Sequence, residues 1–416
     1  MATVATTRNV TRALVMLLGA AVFLNYVDRG AIAVAAPLMK CELGLTATQF
    51  GTAVSAFFWI YAPVQLVVGW LVDRFSVYRL IALGVIVWAA STLVMGFVGG
   101  FLSLTVLRIM LGIGESIIFP GSGKIISRHV PPEGRGLANA WCAAGIALGP
   151  AVGTLAGGMI LANLGWRAIF IVFGLATLIW LLPWRRVVYA LPTVGDGIRE
   201  PMVPVSRLLG RWSLWAMGVG HSLSNFGFYF LLAFTPLYLV QQRGLSIELM
   251  TLLATLGYAA QGAAAFAIGA WTDRWTRSGR SEAAVRRGLL SASQLVMAAA
   301  LLGIIFTDSI AVIGLLLCVA GIATAGLSTN LYAVAQMFAG PRATGTWIGI
   351  QNGLGNVSGI VGPIASGILI DRFGYDSAFI LAAAVAAFGG IWWVFGVPRI
   401  VQVDMDRAEM SQVESG

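Results

Sequence analysis

Four charged side chains stand inside two long apolar runs of this 416-residue chain. Asp28 and Arg29 are adjacent in the first run, and Arg108 and Glu115 lie within a later one. A charge at the centre of a membrane-spanning helix costs roughly 2.5 to 3.5 kcal/mol on insertion scales, so a charge kept there usually has a function. These four residues are therefore the first candidates for a functional site.

The types of these residues indicate anion binding coupled to protons. On a helix, Arg108, Gly112 and Glu115 fall at i, i+4 and i+7 and share one face. Arginine stays charged at any relevant pH, and its guanidinium group matches the two oxygens of a carboxylate. A carboxyl group in a low-dielectric cavity can gain or lose a proton as its surroundings change. We predict that Arg29 and Arg108 bind an anion and that Asp28 and Glu115 carry protons.

A structural function for the same residues is the alternative. Ionisable groups inside membranes usually pair with one another. Asp28 with Arg108, or Arg29 with Glu115, could form static pairs that hold the first and fourth helices together. An ion pair that a bound anion can break would also couple anion binding to proton binding, so the two interpretations are compatible.

Composition determines the class of protein that must position these residues. Apolar residues make up 58% of the chain and charged residues 10%, with a mean hydropathy of +0.87. Continuous apolar stretches of about 20 residues cross a bilayer as helices and exclude a membrane β-barrel. We predict an all-α membrane protein with twelve transmembrane helices. The predicted spans are residues 12–37, 49–72, 79–99, 101–127, 137–163, 166–188, 213–241, 249–272, 287–307, 309–337, 343–370 and 375–396.

The spans divide into two halves with an internal repeat. The predicted domains are an N-terminal six-helix bundle (1–188), a cytoplasmic linker (189–212), a C-terminal six-helix bundle (213–396) and a cytoplasmic tail (397–416). The pattern Gly-x-x-x-Asp-Arg ends spans two, eight and eleven, and a degenerate copy ends span five. Because these spans are three apart, each half is predicted to contain two inverted three-helix repeats, as in many transporters.

Charge and motif content restrict location and partners. Most of the 26 Lys and Arg residues fall on the termini and even-numbered loops, so we predict cytoplasmic termini, with a bacterial inner membrane favoured by the short loops. The net charge of +9 lies beside anionic lipid headgroups and needs no nucleic acid. With two His, three Cys and no nucleophile motif, we expect neither an enzyme nor a metal or cofactor site. A monomer would enclose its own pathway.

Residues 69–79 resemble the cytoplasmic loop motif of the major facilitator superfamily, with Asp73 and Arg74 in the expected places. In that superfamily the loop is a latch that holds the two halves in the outward-facing state. The resemblance implies this function for Asp73 and Arg74, and the copy of the motif in span eight extends it to Asp273 and Arg274.

Several segments are similar to the anion:cation symporter family of that superfamily. They are Asn-Tyr-Val-Asp-Arg at 25–29, the run from Leu-Arg to Phe-Pro at 107–120, Lys-Ile-Ile-Ser-Arg at 124–128, and Asn-Phe-Gly-Phe-Tyr-Phe at 225–230. Members include proton-coupled sugar-acid carriers and the animal sialic acid, phosphate and vesicular glutamate carriers. The resemblance implies proton-coupled symport of a small organic anion, and it places Tyr26 and Tyr61 in the substrate pocket.

The C-terminal half carries polar stripes instead of central charges. Ser328 and Tyr332 are at i, i+4, as are Asn352 and Asn356, and Asn225 lies in span seven. We predict that these five residues bind uncharged groups of the substrate, such as hydroxyls. For the three asparagines, hydrogen bonding between helices is an equal alternative.

Three functions are compatible with this sequence. The favoured one is proton-coupled import of a carboxylate, with a sugar acid such as an aldonate, aldarate or hexuronate as substrate. A proton-driven exporter of cationic or lipophilic drugs is the alternative, because Arg108-x-x-x-Gly112-x-Gly114 resembles an exporter motif. Two central arginines would repel a cation, however. A receptor on the same fold would need a signalling domain or a long tail, and we expect neither.

Overall fold

A computed structural model describes residues 2–130, 132–191 and 205–403, which are almost entirely helical. One helix ends at Tyr189 and a later one begins at Trp212, so the predicted linker falls between these two helices. Most of that linker and residues 404–416 of the predicted tail lie outside the described residues. The predicted domain boundaries therefore remain predictions.

Fourteen α-helices follow one another in the described residues. They are α1 (Ala2–Glu42), α2 (Ala47–Arg74), α3 (Val77–Met95), α4 (Phe101–Glu115), α5 (Ile118–His129), α6 (Pro132–Leu164), α7 (Trp166–Tyr189), α8 (Val205–Leu209), α9 (Trp212–Leu237), α10 (Ile247–Arg277), α11 (Glu282–Ile305), α12 (Ile310–Gly355), α13 (Val357–Phe373) and α14 (Tyr375–Phe395). A π-helical turn, Tyr238–Gln242, extends α9.

The predicted spans correspond to these helices. Among the described residues, eleven stretches are long and apolar enough to cross a membrane, and α2 lies at the position of the second predicted span. The fourth span combines α4 with α5. The helix α12 forms the tenth span and the first part of the eleventh, and α13 forms the rest of the eleventh. The predicted all-α fold of twelve membrane helices is thus confirmed.

Three spans differ in detail from the prediction. The fourth is broken after Glu115 by a turn at 116–117, because the ring of Pro120 conflicts with the carbonyl four residues earlier. The first continues through Pro37 to Glu42, since membrane helices tolerate proline. The long helix α12 bends at Gly340, whose φ of 63° favours glycine.

Within each half, the helices pack as a bundle. In the first half α1 packs on α6, α2 on α4, and α3 on α7; in the second, α10 packs on α12 and α11 on α14. The halves meet where α2 contacts α13, α6 contacts α10, and α1 contacts α9. The charged residues of α1 and α4 are therefore carried close to the boundary between the halves.

The halves are joined tightly at one face of the bundle, which we call the closed face. It carries the loops after α1, α9 and α13. The two carboxylate oxygens of Asp371 accept hydrogen bonds from the backbone N–H groups of Ala47 (2.8 Å) and Thr48 (2.7 Å) at the start of α2. Lys40 donates to the Gln241 side chain at 3.2 Å. A carboxylate at a helix N-terminus is stabilised by unpaired N–H groups and the helix dipole.

Small residues allow α2 and α13 to approach at the closed face. A Cβ on Gly367 would meet the carbonyl carbon of Ala47 at 2.8 Å, and one on Gly51 would meet that of Pro363 at the same distance. One turn further into the bundle, the Ser55 hydroxyl donates to the Ile360 carbonyl at 2.7 Å. The closed face is thus a packed contact between backbones, reinforced by hydrogen bonds.

The opposite face carries the C-terminal end of α7 and the start of α9. We call it the linker face. The predicted latch residues belong here. The side chains of Asp73 and Asp273 lie outside the described set, whereas those of Arg74 and Arg274 are exposed. Their latch function remains a prediction.

Candidate functional site

An ion pair between the first and fourth spans forms the centre of the site. Arg29 Nη2 lies 3.3 Å from Glu115 Oε2, and the two side chains are 10% and 0% exposed. Glu115 is the last residue of α4, directly before the turn that divides the fourth span. One of the two pairings considered from the sequence is therefore present in the structure.

Aromatic rings surround the Arg29 guanidinium. Its central carbon lies 4.9 Å from the ring centroid of Tyr26, 5.1 Å from that of Phe57 and 5.4 Å from that of Tyr61. The negative face of an aromatic ring attracts a cation, most strongly where water is excluded. The rings therefore help to retain a buried positive charge.

Arg108 also lies close to the Phe57 ring. Its guanidinium carbon is 5.0 Å from that ring centroid, and its Nη2 donates to the Val54 carbonyl at 3.2 Å. The residue is 5% exposed. A Cβ on Gly112 would collide with the Phe57 carbonyl, so this glycine is the reason that α2 can approach α4 closely.

Both arginines line one cavity between the two halves. Its empty space, part of which opens to solvent, amounts to about 450 Å³. Apolar side chains from α1, α2 and α9 form most of its wall. The lining residues are Arg29, Ile32, Ala33, Phe50, Val54, Phe57, Phe58, Arg108, Tyr229, Leu232 and Ala233. Two cations therefore face the same space, an arrangement that would suit a small anion.

Asp28 points away from this cavity, toward α3. Its Oδ2 accepts hydrogen bonds from Trp88 Nε1 and from Thr92 Oγ1, the latter at 2.9 Å. Asp28 is rotated by about 100° from Arg29 on the helix, so the two neighbours face different partners. Of the two static pairs considered from the sequence, the described residues contain the one between Arg29 and Glu115 and no ion pair between Asp28 and Arg108.

The polar residues of the C-terminal half form a connected network beside the cavity. The Tyr229 hydroxyl donates to Asn356 Oδ1 at 2.7 Å, and Asn356 Nδ2 donates to the Asn352 carbonyl at 2.8 Å. Asn225 Nδ2 donates to the Gly355 carbonyl at 3.2 Å. For Asn225 and Asn356, hydrogen bonding within the bundle, the alternative considered above, is what the structure shows.

One member of this network joins the two halves. Asn352 Nδ2 donates to Gln65 Oε1 on α2 at 2.9 Å, and the Tyr332 hydroxyl lies 3.4 Å from Asn352 Oδ1. Ser328 is exposed and donates to the Ala325 carbonyl of its own helix at 3.2 Å. The structure therefore brings Asn352 and Tyr332 together and leaves Ser328 outside this network.

A second cavity of about 500 Å³ adjoins the first, and both include Ala33. Its walls are largely apolar, with five side chains that can form hydrogen bonds. These are Thr154, Thr235, Tyr258, Gln261 and Thr324. Among the described residues, the buried hydroxyls of Thr154 and Thr235 have no hydrogen-bond partner.

Several residues of the site were not identified from the sequence. Trp88 and Thr92 donate hydrogen bonds to Asp28, Phe57 contacts both arginines, and Gln65 bridges the halves. Gln65 lies four residues after Tyr61 and therefore shares a helix face with a residue assigned to the substrate pocket, so it could have been predicted near the site. The aromatic and threonine residues carry no such signal, because these residue types are common in apolar helices.

Comparisons with known proteins agree with this architecture. The chain is 27% identical to a hexuronate transporter of Bacillus subtilis (88% of this chain, 90% of the relative) and 29% identical to a probable sulfoacetate transporter of Cupriavidus necator (94% of each). It is 26% identical to a D-galactonate transporter of Escherichia coli (92% of this chain, 94% of the relative).

The fold is also that of a solved transporter. A bacterial homologue of the human lysosomal transporter Spinster, in an inward-facing and occupied conformation, superposes with a TM-score of 0.80 at 18% identity, covering 92% of this chain and 95% of that one. The sequence model of the Major Facilitator Superfamily matches residues 18–281 and 247–404. The chain therefore belongs to the Major Facilitator Superfamily.

Proposed function

We propose that this protein is a proton-coupled symporter that moves an organic carboxylate across the membrane by alternating access, with a sugar acid as the favoured substrate. It is a transporter of organic anions and not an enzyme, as its relatives indicate. One observation carries the finer proposal: Arg29 and Arg108 line the same buried cavity, and Arg29 is paired with the buried carboxyl group of Glu115.

The ion pair provides a means of coupling. A substrate carboxylate and the Glu115 carboxylate compete for the Arg29 guanidinium. Protonation of Glu115 removes its charge and releases Arg29 for the substrate. Binding of the anion in turn favours the protonated acid, because two carboxylates side by side repel each other. Proton and anion would therefore bind together, as symport requires.

The two adjoining cavities suit an anion with hydroxyl groups. The first offers two guanidinium groups, and the second offers hydroxyl and amide groups between apolar walls. A buried hydrogen-bonding group that the substrate satisfies contributes specificity, because an analogue without that hydroxyl leaves it unpaired. The names of the hexuronate and D-galactonate transporters support a sugar acid.

The closed face supports alternating access. Hydrogen bonds and backbone contacts join the halves there, so the cavity would communicate with the linker face in this conformation.

We place the linker face and both termini in the cytoplasm of a bacterial cell, with the protein in the inner membrane as a monomer. The latch residues Asp73, Arg74, Asp273 and Arg274 would join the halves at that face when the closed face opens. Protons and the anion would be its solutes, without nucleic acid or cofactor.

Replacement of Asp371 by Ala should shift the conformational equilibrium toward opening of the closed face. The substitution removes both hydrogen bonds to the start of α2. Loss of a side-chain cap costs about 0.5 to 2 kcal/mol, which corresponds to roughly a 2- to 30-fold shift. We would measure the labelling rate of a cysteine introduced at Ser55, which lies behind the closed face, with a membrane-impermeant thiol reagent from that side.

Asp376→Ala is the matched control, since Asp376 is an exposed acid at the start of α14 on the same face. The control should leave the labelling rate unchanged. Equal labelling of the Asp371→Ala and parent proteins would contradict a function for Asp371 in holding this face closed.

Uptake into proteoliposomes tests the proposed function directly. Radiolabelled aldonates, aldarates, hexuronates, aromatic acids and short hydroxy acids would be offered with and without an inward proton gradient. We expect one class of carboxylate to accumulate, faster with the gradient. Proton-linked movement of a lipophilic cation without uptake of any anion would instead favour the exporter, which the two buried arginines disfavour.

A further inference from the structure

Four buried polar atoms lie near the two proposed proton carriers without a hydrogen bond to the protein. Among the described residues, they are both amide atoms of Asn25, Oδ1 of Asp28 and Oε1 of Glu115. Asn25 and Glu115 are 0% exposed and Asp28 is 5% exposed. Because buried polar groups are nearly always satisfied by protein or by ordered water, these atoms require an explanation.

Asn25 lies on the α1 surface between the directions of Asp28 and Arg29. It precedes Asp28 by three residues and Arg29 by four on α1. Viewed along the helix, Asp28 lies about 60° to one side of Asn25 and Arg29 about 40° to the other. The Asn25 side chain approaches Glu115, the ion-pair partner of Arg29. Its amide is therefore close to the Glu115 carboxyl group and, on the helix surface, one turn from Asp28.

Each acid uses one oxygen and leaves the other free. Asp28 Oδ2 accepts from Trp88 and Thr92, and Glu115 Oε2 pairs with Arg29. A proton can therefore bind Oδ1 of Asp28 or Oε1 of Glu115 without breaking these contacts. Arg29 and Arg108 are the other charged groups that act on the two acids, and their guanidinium groups hold no proton that they would release at neutral pH.

We propose that Asn25 holds a water molecule between Asp28 Oδ1 and Glu115 Oε1, and that this water carries protons from one carboxyl group to the other. An amide supplies one donor and one acceptor to the water, and a buried water typically forms about three hydrogen bonds. Asn25 is then a positioning residue for the proton path. The inference rests on the proposed proton coupling through Asp28 and Glu115.

The transfer leaves the water unchanged. The neutral Asp28 carboxyl group gives its proton to the water oxygen as the water gives one of its own protons to the Glu115 carboxylate. Asp28 becomes a carboxylate, which Trp88 and Thr92 stabilise by their hydrogen bonds. Glu115 becomes neutral and releases Arg29 to the substrate. The path thus connects Asp28, on the side of α1 that faces α3, with the anion cavity.

Asn25→Leu tests the inference, because leucine has a similar volume and no polar atom. Accumulation driven by the proton gradient should fall by about tenfold or more, a loss typical for a misplaced proton-transfer group. Counterflow of the labelled anion at equal pH on both sides should be retained, since it requires no net proton movement. Asn25→Ser, whose hydroxyl can hold water, should recover part of the accumulation.

Gln351→Leu is the matched control. Gln351 is 0% exposed, and within the described residues both its amide atoms also lack a hydrogen-bond partner, but it lies in the other half. Its ratio of accumulation to counterflow should equal that of the parent protein. Infrared difference spectra of the purified protein provide a readout independent of transport. The carboxyl C=O bands of Asp28 and Glu115, assigned with Asp28→Asn and Glu115→Gln, should titrate together in the parent and separately in Asn25→Leu.

Two results would overturn the inference and leave the proposed function standing. One is undiminished accumulation by Asn25→Leu. The other is a titration of the two carboxyl bands that is the same in Asn25→Leu and in the parent protein. Equal loss of accumulation and counterflow in both Asn25→Leu and Asn25→Ser would also overturn it, since Asn25 would then serve packing. Absence of gradient-driven accumulation by the parent protein would instead remove the proposed function, and this inference with it.

Discussion

Replacement of Arg108 by Ala is expected to abolish measurable binding of the transported anion. Arg108 is 5% exposed and faces the same cavity as Arg29, so no solvent would compensate for the lost charge. Truncation of one partner in a buried charged contact costs about 2 to 5 kcal/mol, or roughly 30-fold to several thousand-fold in affinity. Binding to the purified protein would be measured by calorimetry or by scintillation proximity with the labelled substrate.

Two further variants make this result interpretable. Arg108→Lys keeps the charge but loses the guanidinium fork, so we expect an intermediate affinity. Arg185→Ala removes an exposed arginine of the same half outside the cavity and should bind normally. Arg108 also donates to the Val54 carbonyl, so each variant must show a normal elution profile in detergent. Unchanged affinity in a folded Arg108→Ala protein would refute the proposed anion site.

Replacement of Glu115 by Gln should separate anion movement from proton movement. Glutamine has nearly the shape of protonated glutamic acid, and its carbonyl can still accept a hydrogen bond from Arg29. It cannot gain or lose a proton, however. We therefore expect counterflow to persist while accumulation driven by the proton gradient disappears. Both would be measured in the same proteoliposomes, with internal and external pH set independently.

Asp28→Asn provides the companion measurement. Its amide cannot carry the proton, although its oxygen can still accept from Trp88 and Thr92. The same loss of accumulation is expected. If Glu115→Gln still concentrates the anion against its gradient, then the coupling acid is a different residue and the competition for Arg29 plays no part in symport.

Much of the fold was predictable because the bilayer imposes it. Each span must satisfy its own backbone hydrogen bonds, so apolar runs of helix length identify spans without tertiary information. The four charges inside those runs were equally visible, because few residues are as costly in a membrane. The structure joins two of them, Arg29 and Glu115, and places both arginines on one cavity.

The partners of these charges depend on how the helices are rotated, which a single sequence does not specify. Asp28 could have faced α4, yet it faces α3, because it and Arg29 differ by about 100° around the helix. Trp88 and Thr92 are ordinary residues of an apolar helix until α1 packs against them. Ser328 shared a helix face with Tyr332, but its hydroxyl bonds its own backbone. The break after Glu115 could have been inferred from Pro120.

That break also separates the residues that we propose bind the anion and the proton from the helix that reaches the linker face. Arg108 and Glu115 belong to α4, whereas α5 carries Lys124, which donates to the Val72 carbonyl, and His129, which is hydrogen-bonded to Tyr78. The turn at 116–117 is a joint between these two groups. In evolutionary terms, if Arg108 and Glu115 bind the solutes as we propose, substitutions in α5 would alter the contacts of the linker face without touching the anion site.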